Sequence, residues 1–150
     1  MTRIPNFLRL GLLAGSVAFA GCSMAPTASS TAGMTSLGAT LTSAAEVPPN
    51  GSAGTGRVEA TFDKSTNVLR WTMNYSGLTG PASAAHFHGP AAPGANAGVV
   101  VPFTSATSPT EGQATLTPAQ VADLMAGKWY VNVHTAANPG GEIRGQVAVK

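Results

Sequence analysis

The stretch Tyr130–Val149, YVNVHTAANPGGEIRGQVAV, decides how the chain is read. Just before it and within it, Trp129, Val131 and Val133 alternate with Tyr130, Asn132 and His134. That period of two is the mark of a half-buried strand. Ala136-Ala137-Asn138-Pro139-Gly140-Gly141 then supplies the residues of a tight turn. Beyond it Ile143, Gly145, Val147 and Val149 alternate with Glu142, Arg144, Gln146 and Ala148. Paired as an edge hairpin, the two runs put His134, Glu142 and Arg144 on one polar face near the loop. An imidazole, a carboxylate and a guanidinium gathered there have the make-up of a binding site.

Working outward, the same short alternation recurs upstream. Strands are expected over residues 37–47, 56–63, 68–75, 83–88, 98–103 and 113–116. Val58, Ala60 and Phe62 share one face of the second, and Leu69, Trp71, Met73 and Tyr75 share one face of the third. Thr117-Pro118-Ala119-Gln120 reads as an N-cap, a proline at the first helical position and a capping-box glutamine. The helix it opens should stop at Gly127 and lay Val121, Leu124 and Met125 on the sheet. About eight short strands and one short helix predict an all-β domain, an antiparallel Greek-key-like β-sandwich or flattened barrel.

The first 21 residues do not belong to that domain. Arg3 and Arg9 precede an apolar run from Leu10 to Ala20, too short to span a bilayer, which is the build of a secretory signal peptide. Phe19-Ala20-Gly21-Cys22 resembles a bacterial lipobox, with Phe19 where leucine is usual, and would leave Cys22 as a lipidated first residue. Residues 22–35 read as a flexible tether with a reach on the order of 20 Å, and 36–150 as the folded domain. Ser23 stands where an inner-membrane retention signal favours Asp, which points to the outer membrane if the host has two. The expected location is therefore the cell envelope, with the membrane as a partner through the lipid.

Removing Arg3 and Arg9 with the leader leaves six basic against six acidic side chains, so the excess of positive charge belongs to the precursor. Without a basic patch, nucleic acid is not an expected partner. Cys22 is the single cysteine, which excludes an internal disulfide and a thiolate metal site in the domain. There is no GxSxG, no phosphate loop, and only Asp63 and Asp123 as aspartates, so no catalytic residues are assigned.

Three histidines remain: His86, His88 and His134. His86 and His88 are two apart on a strand, so their rings leave the same face. If that strand lies near the one carrying His134, three imidazoles converge on one ion, and nitrogen sets of this kind suit Cu(II) or Zn(II). The plainer alternative is that the histidines are solvated or hydrogen-bonded to loop carbonyls. Glu142 and Arg144 are either a second layer or anion contact for such a site, or a structural pair within the sheet.

The words Tyr130-Val131-Asn132-Val133-His134-Thr135 and Asn138-Pro139-Gly140-Gly141-Glu142-Ile143-Arg144-Gly145-Gln146 resemble the closing signature of the CHRD (chordin) domain. Glu46-Val47-Pro48-Pro49 and Ala84-Ala85-His86-Phe87-His88-Gly89-Pro90 resemble its opening and middle signatures. The resemblance implies a β-rich secreted module and carries no particular activity. The layout of His86, His88, His134 and Arg144 is also similar to the copper ligands and anion-guiding arginine of copper–zinc superoxide dismutase. A bridging histidine, a zinc cluster and a cysteine pair are not found here. Three functions follow as expectations. The first is a binding module holding copper or zinc, the second a structural or protein-interaction module without metal, and the third an enzyme using copper for redox chemistry.

Overall fold

Strand pairing across the whole sheet follows from where partners are available. The structure is a computed structural model that describes residues 1–2 and 33–150. The leader from residue 3 onward, Cys22 and most of the stretch read as a tether lie outside the described residues. The elements are β1 (Met34–Thr42), a 3-10 turn (Ser43–Ala45), β2 (Thr55–Asp63), β3 (Val68–Ser76), β4 (Ala82–His88), β5 (Val99–Pro102), β6 (Thr110–Thr115), α1 (Pro118–Met125), β7 (Tyr130–Thr135), β8 (Ile143–Gln146) and β9 (Ala148–Val149). They form one antiparallel sheet in the order β5-β4-β7-β8-β1-β2-β3-β6, with β9 also on β1. Its crossovers from β1 to β8 and from β4 to β7 give the expected all-β fold with one short helix.

The core lines one face of every long strand. Leu37, Leu41, Val58, Phe62, Leu69, Met73, Phe87, Val131, Val133 and Ile143 are almost fully buried. The helix is capped as its sequence dictates. Thr117 Oγ1 accepts the Gln120 N–H, and Gln120 Oε1 accepts the Thr117 N–H. Leu124 is buried, with Val121 and Met125 partly so. No described helix is long and apolar enough to cross a membrane.

Four expectations need correction. Strand β1 starts at Met34, inside the stretch read as tether, and stops at Thr42 rather than Val47. It can run no further because β2 begins opposite Thr42, at Thr55. The final run is not one strand. The strand assignment lapses at Val147, although its N–H still donates to Trp129 O at 2.8 Å in step with the β7–β8 ladder, and Val149 is left exposed. The β7–β8 hairpin is not at an edge, since β4 flanks it on one side and β1 on the other. Nor is β7 half-buried: Tyr130 and Asn132, on its polar side, are as buried as Val131 and Val133. Loops cover that side. Tyr130 and His88 hydrogen-bond Ala97, and Asn96 donates to Val47 O at 3.0 Å, tying the two covering loops together.

Candidate metal centre

Neighbouring strands bring the three histidines together. In the β4–β7 ladder His86 lies opposite Asn132, Ala84 opposite His134 and His88 opposite Tyr130. All six residues therefore share the face turned away from the core. One nitrogen from each of His86, His88 and His134 falls within 4.8 Å of the others. His86 Nδ1 is 3.2 Å from His134 Nε2. Donors about 2.0–2.1 Å from a zinc ion stand about 3.4 Å apart in a tetrahedral site. The closest pair already has nearly that spacing.

The second nitrogen of two rings is anchored. His88 Nδ1 is 3.0 Å from Ala97 O, and His134 Nδ1 is 3.0 Å from Pro139 O. A carbonyl accepts only, so each Nδ1 carries the proton and each Nε2 is left with a lone pair. Both lone pairs aim into the cluster. This is the tautomer a metal-ligating histidine adopts when its far nitrogen is held by a carbonyl. Burial, followed by the neighbouring imidazoles, lowers the pKa of His86 below its usual 6.5. Burial likewise lowers that of His88. Both shifts favour the neutral, ligating form.

Arg144 and Glu142 part company, although the alternating pattern put them side by side. Arg144 lies on the histidine side. Its guanidinium carbon sits 3.4 Å over the centre of the Tyr130 ring, and that ring stacks on His88 at 4.7 Å with the planes 1° apart. Arg144 Nη1 donates to Asn96 Oδ1 at 2.9 Å and Nη2 to Ala95 O at 2.6 Å. These contacts brace the covering loop and the face of His88. Glu142 turns away from the cluster. Its carboxylate accepts from Ser52 Oγ, the Thr79 N–H and hydroxyl, and Thr135 Oγ1, at 2.5–2.7 Å. It precedes the first paired residue of β8, after Gly141 at φ +134°, and so escapes the strand's alternation.

A family model described as a CHRD domain matches residues 37–147. The chain belongs to the CHRD family. No curated protein and no solved structure gives a match. The matched span contains every residue of the histidine cluster and its surroundings in this CHRD domain.

Two residues beside the cluster were not singled out by the sequence. Asn132 reads as an ordinary polar strand residue, although its place two before His134 puts it on the same face. Glu46 reads only as part of the Glu46-Val47-Pro48-Pro49 word, yet it is a carboxylate with 4% exposure. Burial raises its pKa, against lowering contributions from the Val47 backbone, Arg144 and Asn132. Its Oε1 has no hydrogen-bond partner.

Proposed function

We propose that this CHRD domain is a lipid-anchored, extracytoplasmic binding module that holds one copper or zinc ion through His86, His88 and His134. The observation that carries the reading is the convergence of three imidazole nitrogens, two of them with their lone pairs fixed inward by carbonyls on the opposite ring atom. Nitrogen donors without thiolate or thioether fit Cu(II) and Zn(II). Bound copper or zinc would supply Lewis acidity and, for copper, redox capacity. The role proposed is binding, either for storage, for buffering or for stabilising the domain.

Titration of the metal-free full-length chain with Cu(II) and Zn(II) tests this. One ion should bind per chain, and replacing all three histidines by Ala should abolish binding. Affinity should fall as pH drops below the imidazole range near 6.5, because protons then compete for the ligating nitrogens. Equal uptake by the wild type and the triple variant leaves the alternative, a protein-interaction module without metal.

Anchoring is proposed on the residues around Cys22. The mature protein should partition into detergent with an acylated Cys22 at its start. Each buried CH₂ of the lipid adds about 0.8 kcal/mol to membrane attachment. Cys22→Ser should release the protein or leave the precursor uncleaved, as read by mass spectrometry of membrane and soluble fractions. Soluble wild-type protein beginning at another residue overturns the anchor.

A further inference from the structure

Asn132 is 2% exposed, and its Oδ1 lies 3.0 Å from His88 Nε2 and 2.9 Å from His134 Nε2. Both of those nitrogens face it with lone pairs, because their partner nitrogens hold the protons that go to Ala97 O and Pro139 O. An amide oxygen against two lone pairs is a contact between acceptors only. Rotating the amide by half a turn only moves the conflict to its other side. The amide nitrogen lies on the side of the Glu46 carboxylate: a Cβ placed on Gly141 would be 2.2 Å from Glu46 Oε1 and 2.8 Å from Asn132 Nδ2. A reversed amide would set its oxygen against that carboxylate and take away the Asn132 hydrogen bond that favours its ionised form. Glu46 therefore holds the NH₂ on its own side and turns Oδ1 toward the imidazoles. The absence of a side chain at Gly141 makes room for this arrangement.

A buried amide oxygen about 3 Å from each of two imidazole lone pairs calls for a cation among them. We propose that Asn132 is the fourth donor of the centre, ligating through Oδ1, and that Glu46 is the positioning residue that selects this oxygen. The proposal rests on the three-histidine reading and deepens it. Three nitrogens and one amide oxygen make a donor set of borderline to hard character, which selects Cu(II) and Zn(II) over the softer Cu(I).

The test compares wild type, Asn132→Leu and His86→Ala as full-length chains stripped of metal, each titrated with Cu(II), Zn(II) and Cu(I). Asn132→Leu should weaken Cu(II) and Zn(II) about 10–100-fold, the scale on which metal sites lose affinity to changes around their ligands. It should leave Cu(I) binding nearly unchanged and alter the Cu(II) electron paramagnetic resonance spectrum. A uniform loss for all three ions would mark a merely structural role and overturn the proposal. A second measurement needs no substitution. Wild-type protein with ¹³C in its asparagine side-chain amides should show a ¹³C coupling to bound Cu(II) in pulsed resonance; its absence overturns Asn132 as a ligand. If Asn132→Leu binds like the wild type while His86→Ala does not, Asn132 is no ligand and the three-histidine site stands. Failure of the wild type to bind any of these ions removes both readings together.

Discussion

Glu142→Ala should cost the fold about 3–5 kcal/mol, a large share of the about 5–15 kcal/mol that holds a domain together. The carboxylate is fully buried and accepts four hydrogen bonds from three separate segments. Ser52 belongs to the loop between β1 and β2, Thr79 to the loop between β3 and β4, and Thr135 to the end of β7. Removing the acceptor leaves three hydroxyls and a backbone N–H without it, and each buried group stranded in this way costs about 1–3 kcal/mol before any relaxation. Glu142→Gln should cost less, because the remaining oxygen keeps the Thr79 N–H and the hydroxyls can turn to accept from the amide. Denaturant unfolding of the two variants measures the difference. A loss below 1 kcal/mol for Glu142→Ala would mean that water replaces the carboxylate and that the three loops are held by other contacts.

The same residue sets an acid limit. Burial pushes the Glu142 pKa up, but the bonds from Ser52, Thr135 and Thr79 outweigh it and bring the value to about 2, from 4.5. A carboxyl whose folded pKa is depressed contributes stability that is complete above the unfolded value and is lost as pH falls. The loss should therefore run from pH 4.5 down to about 2. Glu46 has the opposite sign, since its raised pKa makes protonation in the folded state easier than in the unfolded one. The acid slope of wild-type stability should accordingly flatten in Glu142→Gln.

These contacts also explain how far the sequence could be read. Periodicity located every strand of β2, β3 and β4 within a residue or so, because each has one apolar and one polar side. It misplaced the ends of β1, because strand ends depend on whether a partner is present across the ladder. The histidine cluster was legible for a geometric reason. His86 and His88 share a face by their spacing alone, and only the adjacency of β4 and β7 had to come from the fold. Glu142 was misread because alternation was carried one residue past the first paired position, across a turn at Gly141. Asn132 and Glu46 were passed over for another cause. Their roles arise from one long-range meeting under Gly141, between a strand and a loop more than 80 residues apart, and no local pattern encodes it.

Trp129→Ala should destabilise by about 3–5 kcal/mol, the range for emptying a buried aromatic site. Trp129 has no exposed surface and packs on Phe87, ring centres 5.9 Å apart. Phe87 in turn meets Trp71 edge-on at 5.2 Å and Phe103 at 5.1 Å. This aromatic group lies behind the histidine face, since Phe87 sits between His86 and His88 in β4 and points the other way. Room to relax is scarce on the far side too, where a Cβ at Gly89 would already be 2.6 Å from Trp129 Cδ1. The indole N–H, however, has no partner, a burial that by itself costs about 1–3 kcal/mol. Trp129→Phe should therefore lose only about 1–2 kcal/mol, because it keeps a ring against Phe87 and removes the stranded donor. Thermal and denaturant unfolding of the two variants give the comparison. Equal losses for Ala and Phe would show that the N–H is hydrogen-bonded after all; a small loss for both would show that the site collapses and that the histidine strand is not supported from behind.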